Sequence, residues 1–114
     1  MVDWFIDYFG EDPGEPLPEP LRFIAGEEKT VQILDETARI VNTKKGKRPC
    51  LIVLWNGKRY TLWLSRRDIA RPIARYEKQN GTLKDVYVRI RAPNEPAGER
   101  FYIVEVLGTA FKEP

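Results

Sequence analysis

Residues Cys50–Leu64 read CLIVLWNGKRYTLWL, two β-rich runs on either side of Asn56-Gly57. Asn and Gly both tolerate a positive φ, and together they are the strongest short signal for a two-residue turn of type I′. The sequence therefore predicts a β-hairpin with strands over Cys50–Trp55 and Lys58–Leu64.

Counting outward from this turn tells which side chains share each face of the hairpin. The nearly all-apolar face, predicted to lie in the core, holds Leu51, Val53, Trp55, Tyr60 and Leu62. The mixed face holds Cys50, Ile52, Leu54, Arg59, Thr61 and Trp63. Single-strand binders use aromatic planes to stack bases and cations to hold the backbone, so the mixed face is a candidate binding surface. Burial of Trp63 is the alternative, because large aromatic side chains are often simply packed.

Three further strands are predicted outside the hairpin from alternating or β-branched residues. The first runs over Lys29–Leu34, and Ala38–Val41 continues it after a short irregularity. The other two run over residues 86–91 and 101–107, with a loop rich in Pro and Gly between them.

One helix is predicted directly after the hairpin. Ser65, with Asp68 three residues later, has the pattern of an N-terminal capping box, and Asn80-Gly81 signals the helix end. Its apolar face consists of Ile69, Ile73 and Tyr76. Pro72 either kinks this helix or marks its first turn.

The predicted order is three strands, one helix and two strands. This is the order of the OB-fold, a small five-stranded Greek-key barrel. We therefore expect an all-β domain with one helix, built as an OB-like barrel in the order β-β-β-α-β-β. Other small barrels remain alternatives, because the order of elements does not determine which strands pair.

The composition excludes several classes of function. The 114 residues include one cysteine and no histidine, which leaves too few ligands for a zinc site and removes Ser-His-Asp and Cys-His catalysis. The carboxylates form no pair suited to catalysis, so we expect no enzyme, cofactor or metal. The longest apolar run has six residues and the start of the chain is not basic. We therefore expect a cytoplasmic protein with no signal peptide, transmembrane segment or membrane partner.

Charge is distributed unevenly along the chain. The net charge is +2 overall, −6 over residues 1–20 and +8 over the rest, and it reaches +12 between Thr37 and Arg91. A basic body favours a polyanionic partner, whereas an ordinary solvated surface is the alternative.

Two basic segments extend the candidate surface of the hairpin. A predicted loop over Lys44–Pro49 carries Lys44, Lys45, Lys47 and Arg48, which could reach successive phosphates. A predicted strand places Tyr87, Arg89 and Arg91 on one face. Lys58, beside the hairpin turn, adds a further cation. Solvated turn residues and cross-strand ion pairs, for example with Glu105, are the alternatives.

The N-terminal residues 1–20 are predicted to be an acidic, aromatic arm outside the domain, which spans residues 21–114. Val2, Phe5, Ile6 and Phe9 have helical spacing. The linker over residues 10–20 contains four prolines and two glycines and is predicted to be extended. The candidate partner-binding or autoinhibitory residues are Asp3, Trp4, Phe5, Asp7, Tyr8 and Phe9. The alternative is a short helix docked permanently on the domain.

Residues 21–107 resemble the OB-fold single-stranded DNA-binding proteins of phages and archaeal viruses. The similarity lies in LRFIAGEEKTVQILD at residues 21–35, in the hairpin followed by LWLS at residues 62–65, and in KDVYVRI at residues 84–90. The resemblance implies sequence-tolerant binding across the second and third strands, with Arg59 and Trp63 on the binding face. It also implies a recruiting or shielding role for an acidic aromatic segment, which here is N-terminal.

The sequence therefore predicts a non-enzymatic protein that binds single-stranded DNA, or RNA, and recruits a replication or repair protein through the arm. An RNA-binding OB module is one alternative. The other is a protein-interaction adaptor that binds through the arm and uses the barrel as a scaffold.

Overall fold

The computed structural model describes residues 17–111 together with Trp4 and Tyr8. Residues 17–111 form an antiparallel sheet of six strands and one α-helix. The elements are β1 (Glu28–Ile33), β2 (Arg39–Thr43), β3 (Gly46–Trp55), β4 (Lys58–Trp63), α1 (Arg67–Asn80), β5 (Tyr87–Arg91), a 3-10 turn (Glu95–Ala97) and β6 (Ile103–Gly108). The predicted class, mostly β with one helix, is confirmed.

The sheet has the order β2-β3-β1-β5-β6, and β4 pairs with β3. The ten-residue strand β3 pairs with β2 through its first half and with β4 through its second half. Among the described residues no strand pairing joins β4 to β6, so the sheet is open rather than closed into a barrel.

The structure has six strands instead of the predicted five because the first predicted strand is divided. The backbone bends over residues 35–37, and the Asp35 carboxylate accepts hydrogen bonds at this bend. It accepts the backbone N–H of Ile52 at 2.8 Å and the guanidinium of Arg39 at 2.8 Å. The side chain thus replaces ladder bonds that the bend interrupts.

The predicted hairpin is confirmed in its turn and its register. Asn56 and Gly57 have φ values of 52° and 78°, as a type I′ turn requires. The cross-strand pairs run from Trp55 with Lys58 to Cys50 with Trp63.

The core lies between the inner face of the sheet and α1. Its buried residues are Val31, Ile33, Leu51, Val53, Leu62, Leu64, Ile69, Ile73, Leu83, Val86, Val88 and Ile90. Trp55 and Tyr60 are partly buried against this cluster. The hairpin face predicted to be apolar therefore packs as expected.

One cation also points into this region. Lys29 is only 6% exposed, and its ammonium donates hydrogen bonds to the Arg22 carbonyl at 2.8 Å and to Glu27 at 2.5 Å. The ammonium lies over the rings of Phe23 and Trp55, at 4.8 Å and 4.6 Å from their centroids. Hydrogen bonds and ring faces together make the burial of this charge tolerable.

The predicted start of the helix was wrong, whereas its end is confirmed. The N-cap is Arg66, without a side-chain capping bond, and the Ser65–Asp68 capping box does not form. Asp68 instead binds Arg66 and the backbone N–H of Tyr102, because the loop before β6 packs against this end of the helix. Pro72 lies inside the continuous helix, which ends at Gly81 with a φ of 86°.

The end of the predicted linker lies along the outer edge of β4. The Thr61 N–H donates to the Glu19 carbonyl and the Leu21 N–H donates to the Thr61 carbonyl, both at 2.9 Å. Farther on, the ring of Phe23 packs edge-on against Tyr102, just before β6. The segment thus contacts both sides of the opening between β4 and β6. None of the described helices is long and apolar enough to cross a membrane.

Candidate nucleic-acid interface

The face of the sheet that points away from the core, called here the outer face, holds seven of the eleven residues predicted to bind nucleic acid. Side chains alternate between the two faces of a strand, and Val53 and Val88 point into the core. Their neighbours along the strands therefore point outward. The predicted site residues placed on the outer face in this way are Arg48, Arg59, Thr61, Trp63, Tyr87, Arg89 and Arg91.

The strand registers arrange these side chains in rows. Leu54 pairs with Arg59 on one side and with Gln32 on the other, and Gln32 also pairs with Tyr87. One row thus crosses β4, β3, β1 and β5. A second row crosses β4, β3 and β2, where Cys50 lies between Trp63 and Arg39.

Two arginines of the outer face have no carboxylate within ion-pair distance among the described residues. Arg59 is exposed beside the Asn56-Gly57 turn, and Arg48 is half-buried near the start of β3. Trp63 is half-buried at the end of β4, opposite Cys50. Two uncompensated cations and an aromatic ring are therefore presented on the same face.

The predicted loop Lys44–Pro49 is not a loop. Lys44 and Lys45 form a two-residue turn, and β3 begins at Gly46. The Thr43 hydroxyl accepts the Lys45 N–H at 3.2 Å and donates to the Gly46 carbonyl at 2.7 Å, which tightens the turn. Gly46 has a φ of 105°, where a side chain would be strained.

The four cations of this segment point in different directions. Lys44 and Lys45 are exposed at the tip of the β2–β3 hairpin. Arg48 belongs to the outer face, whereas Lys47 precedes it by one residue and points to the opposite side of β3. No described carboxylate lies within ion-pair distance of any of them.

The two arginines of β5 are engaged in ion pairs. Arg89 binds Glu105 on β6 at 3.1 Å, which is the cross-strand pair considered as the alternative to binding. Arg91 binds Glu99 at 3.0 Å, and hydrogen bonds from Arg91 and the Asn94 N–H lower the pKa of the Glu99 carboxyl. The neighbouring ring of Tyr87 packs against Phe111, with centroids 5.4 Å apart.

Thr61 and Lys58 are held by the N-terminal segment. Thr61 is 1% exposed, and its hydroxyl donates to the Pro18 carbonyl at 2.7 Å. The Lys58 ammonium binds the Glu19 carboxylate, and this hydrogen bond raises the pKa of Lys58. Thr61 is therefore covered, whereas the Lys58 side chain stays exposed with its charge paired to Glu19.

A cavity of about 270 Å³ lies where this segment meets the outer face. Its lining consists of Leu17, Pro18, Leu34, Asp35, Arg39, Ile52 and Arg59. The chain therefore enters the described domain beside Arg59, on the outer face. The aromatic arm mostly precedes this point, and its predicted site residues Asp3, Phe5, Asp7 and Phe9 lie outside the described residues.

The described arm residues are exposed and helical, with Trp4 at 67% and Tyr8 at 82% of their full accessibility. The predicted helix face formed by Val2, Phe5, Ile6 and Phe9 lies outside the described residues. Both aromatic side chains are therefore largely exposed, and no position of the arm over the sheet is described.

Sequence analysis did not single out Phe101 or Ile103. They are 68% and 55% exposed, and Ile103 pairs with Arg91 on the outer face. Phe101 precedes β6 and Ile103 begins it, and β6 is the last strand in the sheet order. The one signal in the sequence that could have indicated this part of the surface was Phe101, an aromatic residue in the β5–β6 connection to which no role was assigned.

No protein-family model, curated protein sequence or solved structure matches this chain. Its chemistry is inferred from the side chains described above. The outer face and the adjoining turn offer cations to an anionic backbone and aromatic rings to planar groups. Cys50 is fully buried, and burial raises the pKa of its thiol, which disfavours the reactive thiolate.

Proposed function

We propose that this protein binds single-stranded nucleic acid, preferably DNA, without sequence specificity and without catalysis. The observation that supports it is the position of Arg48, Arg59 and Trp63 on one face of the sheet, with no described carboxylate beside either arginine. Surface arginines elsewhere in the sheet are paired with Asp or Glu. Unpaired arginines beside an aromatic ring suit a ligand that brings its own negative charge.

Binding proceeds in two physical steps. The basic body and the lysines of the Lys44–Lys45 turn attract the phosphates, and counterions are released from the strand. Bases then stack on the exposed part of Trp63, while Arg59 holds the backbone. Each stacked base contributes roughly 1–3 kcal/mol, and stacking is sequence-tolerant because every base has a flat face.

Within the class of mostly-β folds with one helix, we propose that this fold is an OB-like barrel. If β1 and β2 are counted as one bent strand, residues 17–111 form five strands with α1 between the third and the fourth. The OB-fold is partly open and binds ligands on its second and third strands and on the loops beside them. Those parts correspond here to the outer face of β3 and β4, the Lys44–Lys45 turn and the β5–β6 connection.

Tryptophan fluorescence with a poly-dT strand tests the proposal. With Trp4 replaced by Phe in both proteins, we expect quenching when Trp63 is present and much less quenching in the additional variant Trp63→Phe, because the remaining Trp55 is partly buried against the core. The affinities for matched single-stranded RNA and duplex DNA then show which nucleic acid the protein prefers. If the strand neither quenches the fluorescence nor is retained by the protein, nucleic-acid binding is refuted. The function then becomes that of a protein-interaction adaptor that binds through the arm.

A further inference from the structure

The helix α1 carries a row of arginines that the proposed binding face does not use. Arg67, Arg71 and Arg75 are four residues apart and all exposed. No described carboxylate lies within ion-pair distance of any of the three. These residues are called here the arginine stripe.

The acidic residues of the helix are engaged elsewhere, so they do not neutralise the stripe. Asp68 binds Arg66 at 3.0 Å and the backbone N–H of Tyr102 at 2.8 Å. Glu77 accepts a hydrogen bond from the Thr37 hydroxyl at 3.1 Å. The stripe is therefore an uncompensated line of three positive charges.

The stripe points away from the core. Ile69 and Ile73, which are 5% and 1% exposed, hold α1 against the inner face of the sheet. Each lies two positions after an arginine of the stripe, which is about 200° around a helix with 3.6 residues per turn. The arginines are thus on the opposite side of the helix from the core, and the sheet separates them from the outer face.

Such a row is unfavourable in the absence of a ligand. Like charges four residues apart on a helix repel each other, and this row contains two such pairs, Arg67 with Arg71 and Arg71 with Arg75. The arginines of β5, Arg89 and Arg91, are instead neutralised by ion pairs. A bound polyanion would relieve the repulsion.

We propose that the arginine stripe binds the phosphate backbone of a second nucleic-acid segment, so that one protein molecule bridges two strands. This inference rests on the proposed function, which assigns the first strand to the outer face. At about 1.5 Å of rise per residue the three Cα atoms span about 12 Å along the helix. That length covers several phosphates, which follow one another about every 3.4 Å along the axis of one DNA strand. Arginine suits this contact because its planar fork binds phosphate through two hydrogen bonds.

The test uses the full chain and two short oligo-dT strands, one with a donor dye and one with an acceptor dye. Strands of about 16 nucleotides keep the number of proteins per strand low, since one OB fold covers roughly 4–16 nucleotides. Oligo-dT strands do not pair with each other, so energy transfer reports bridging by protein. Fluorescence anisotropy with a single labelled strand measures first-strand affinity separately.

The stripe variant is R67Q/R71Q/R75Q, and the matched control is R22Q/K47Q/K84Q. Both remove three exposed cations without a described carboxylate partner, and the control residues lie outside α1, the outer face and the β5–β6 connection. We expect the stripe variant to keep first-strand affinity within about threefold of the wild type. We expect its second-strand affinity to fall by roughly 10- to 100-fold at about 0.1 M salt, since each lost phosphate contact is worth about fivefold there. The control should bridge as the wild type does.

Three results overturn the proposal. The first is a wild type that binds one strand without energy transfer, and the second is a stripe variant that still bridges. The third is a control that loses bridging to the same extent, which would mean that only the total charge matters. A wild type that binds no strand at all refutes the proposed function itself, so the two failures are distinguishable.

Discussion

Asp68 shows how one side chain can join distant parts of this chain. Its carboxylate binds Arg66, the Tyr102 N–H and the Ile69 N–H, so it links the start of α1 to the approach to β6. Partial burial raises the pKa of Asp68, but the hydrogen bonds from Arg66 and from the Tyr102 and Ile69 amides outweigh it, and the net pKa is lowered. The folded state therefore favours the ionised carboxylate.

Replacing Asp68 with Ala should lower the free energy of unfolding by about 1–3 kcal/mol near neutral pH, because the partly buried Tyr102 N–H loses its acceptor. A lowered pKa stabilises the fold above the unfolded value of about 4, and this contribution is lost as the pH falls through the folded value. The difference in the free energy of unfolding between the wild type and the Asp68 variant, measured by urea titration, should therefore become smaller below about pH 4. Glu95→Ala, at an exposed carboxylate, serves as the control and should change stability little. A pH-independent gap would contradict the assigned role of the charge.

On the outer face, Trp63→Ala and Arg59→Ala should each weaken binding of oligo-dT. Loss of one stacked base reduces the binding free energy by roughly 1–3 kcal/mol, and Arg59 should contribute through its backbone contact. Anisotropy titrations measure both effects, with Lys84→Ala as a control for the loss of one exposed cation. If both variants melt as the wild type does and also bind as it does, the outer face is not the interface.

Among the elements, the tip of the β2–β3 hairpin provides the most direct electrostatic test. Lys44, Lys45 and Arg48 lie at the tip or on the outer face, so their replacement by Gln should remove up to three phosphate contacts. The slope of log K against log[salt] should then become shallower by roughly two units, at about 0.7 per contact with a single strand.

Lys47 supplies the matched control for this test. It is exposed and adjacent to Arg48, but it points to the other side of β3. Arg48→Gln should reduce the salt slope by about 0.7 and Lys47→Gln should leave it nearly unchanged. Equal effects of both variants would mean that the strand does not follow the outer face at this point.

The elements also differ in how well local sequence predicted them. The Asn56-Gly57 hairpin was predicted correctly because its turn chemistry and alternation are local. The helix start was mispredicted because the expected partner of Ser65, Asp68, is used by Tyr102, which lies 34 residues later. The division between β1 and β2 likewise depends on a bond from Ile52 to Asp35 across 17 residues.

At the scale of the whole molecule, the N-terminal segment connects the acidic arm to the candidate surface. Pro18 and Glu19 are bound to Thr61 and Lys58, so the chain enters the described domain beside Arg59. The sequence before this point has five acidic residues and no Lys or Arg.

Deletion of residues 1–16 should tighten single-strand binding, most visibly at low salt, because a competing tethered polyanion is removed. The melting temperature should change little. Deletion of residues 1–20 is the informative comparison, since it also removes the acceptors of the Thr61 N–H and hydroxyl and should lower the melting temperature. Unchanged or weaker binding after the shorter deletion would exclude autoinhibition by the arm.

Local chemistry thus accounts for the hairpin, its register, the apolar faces and the end of the helix, because each depends on residues close together in the chain. The long-range arrangement could not be predicted in the same way. Whether Arg89 finds Glu105, whether Thr61 is covered by Pro18, and whether the arginines of α1 find carboxylates all depend on which elements become neighbours in space. Tertiary structure decides these points because a charge is neutralised or left available only by the groups that folding brings within a few ångströms of it.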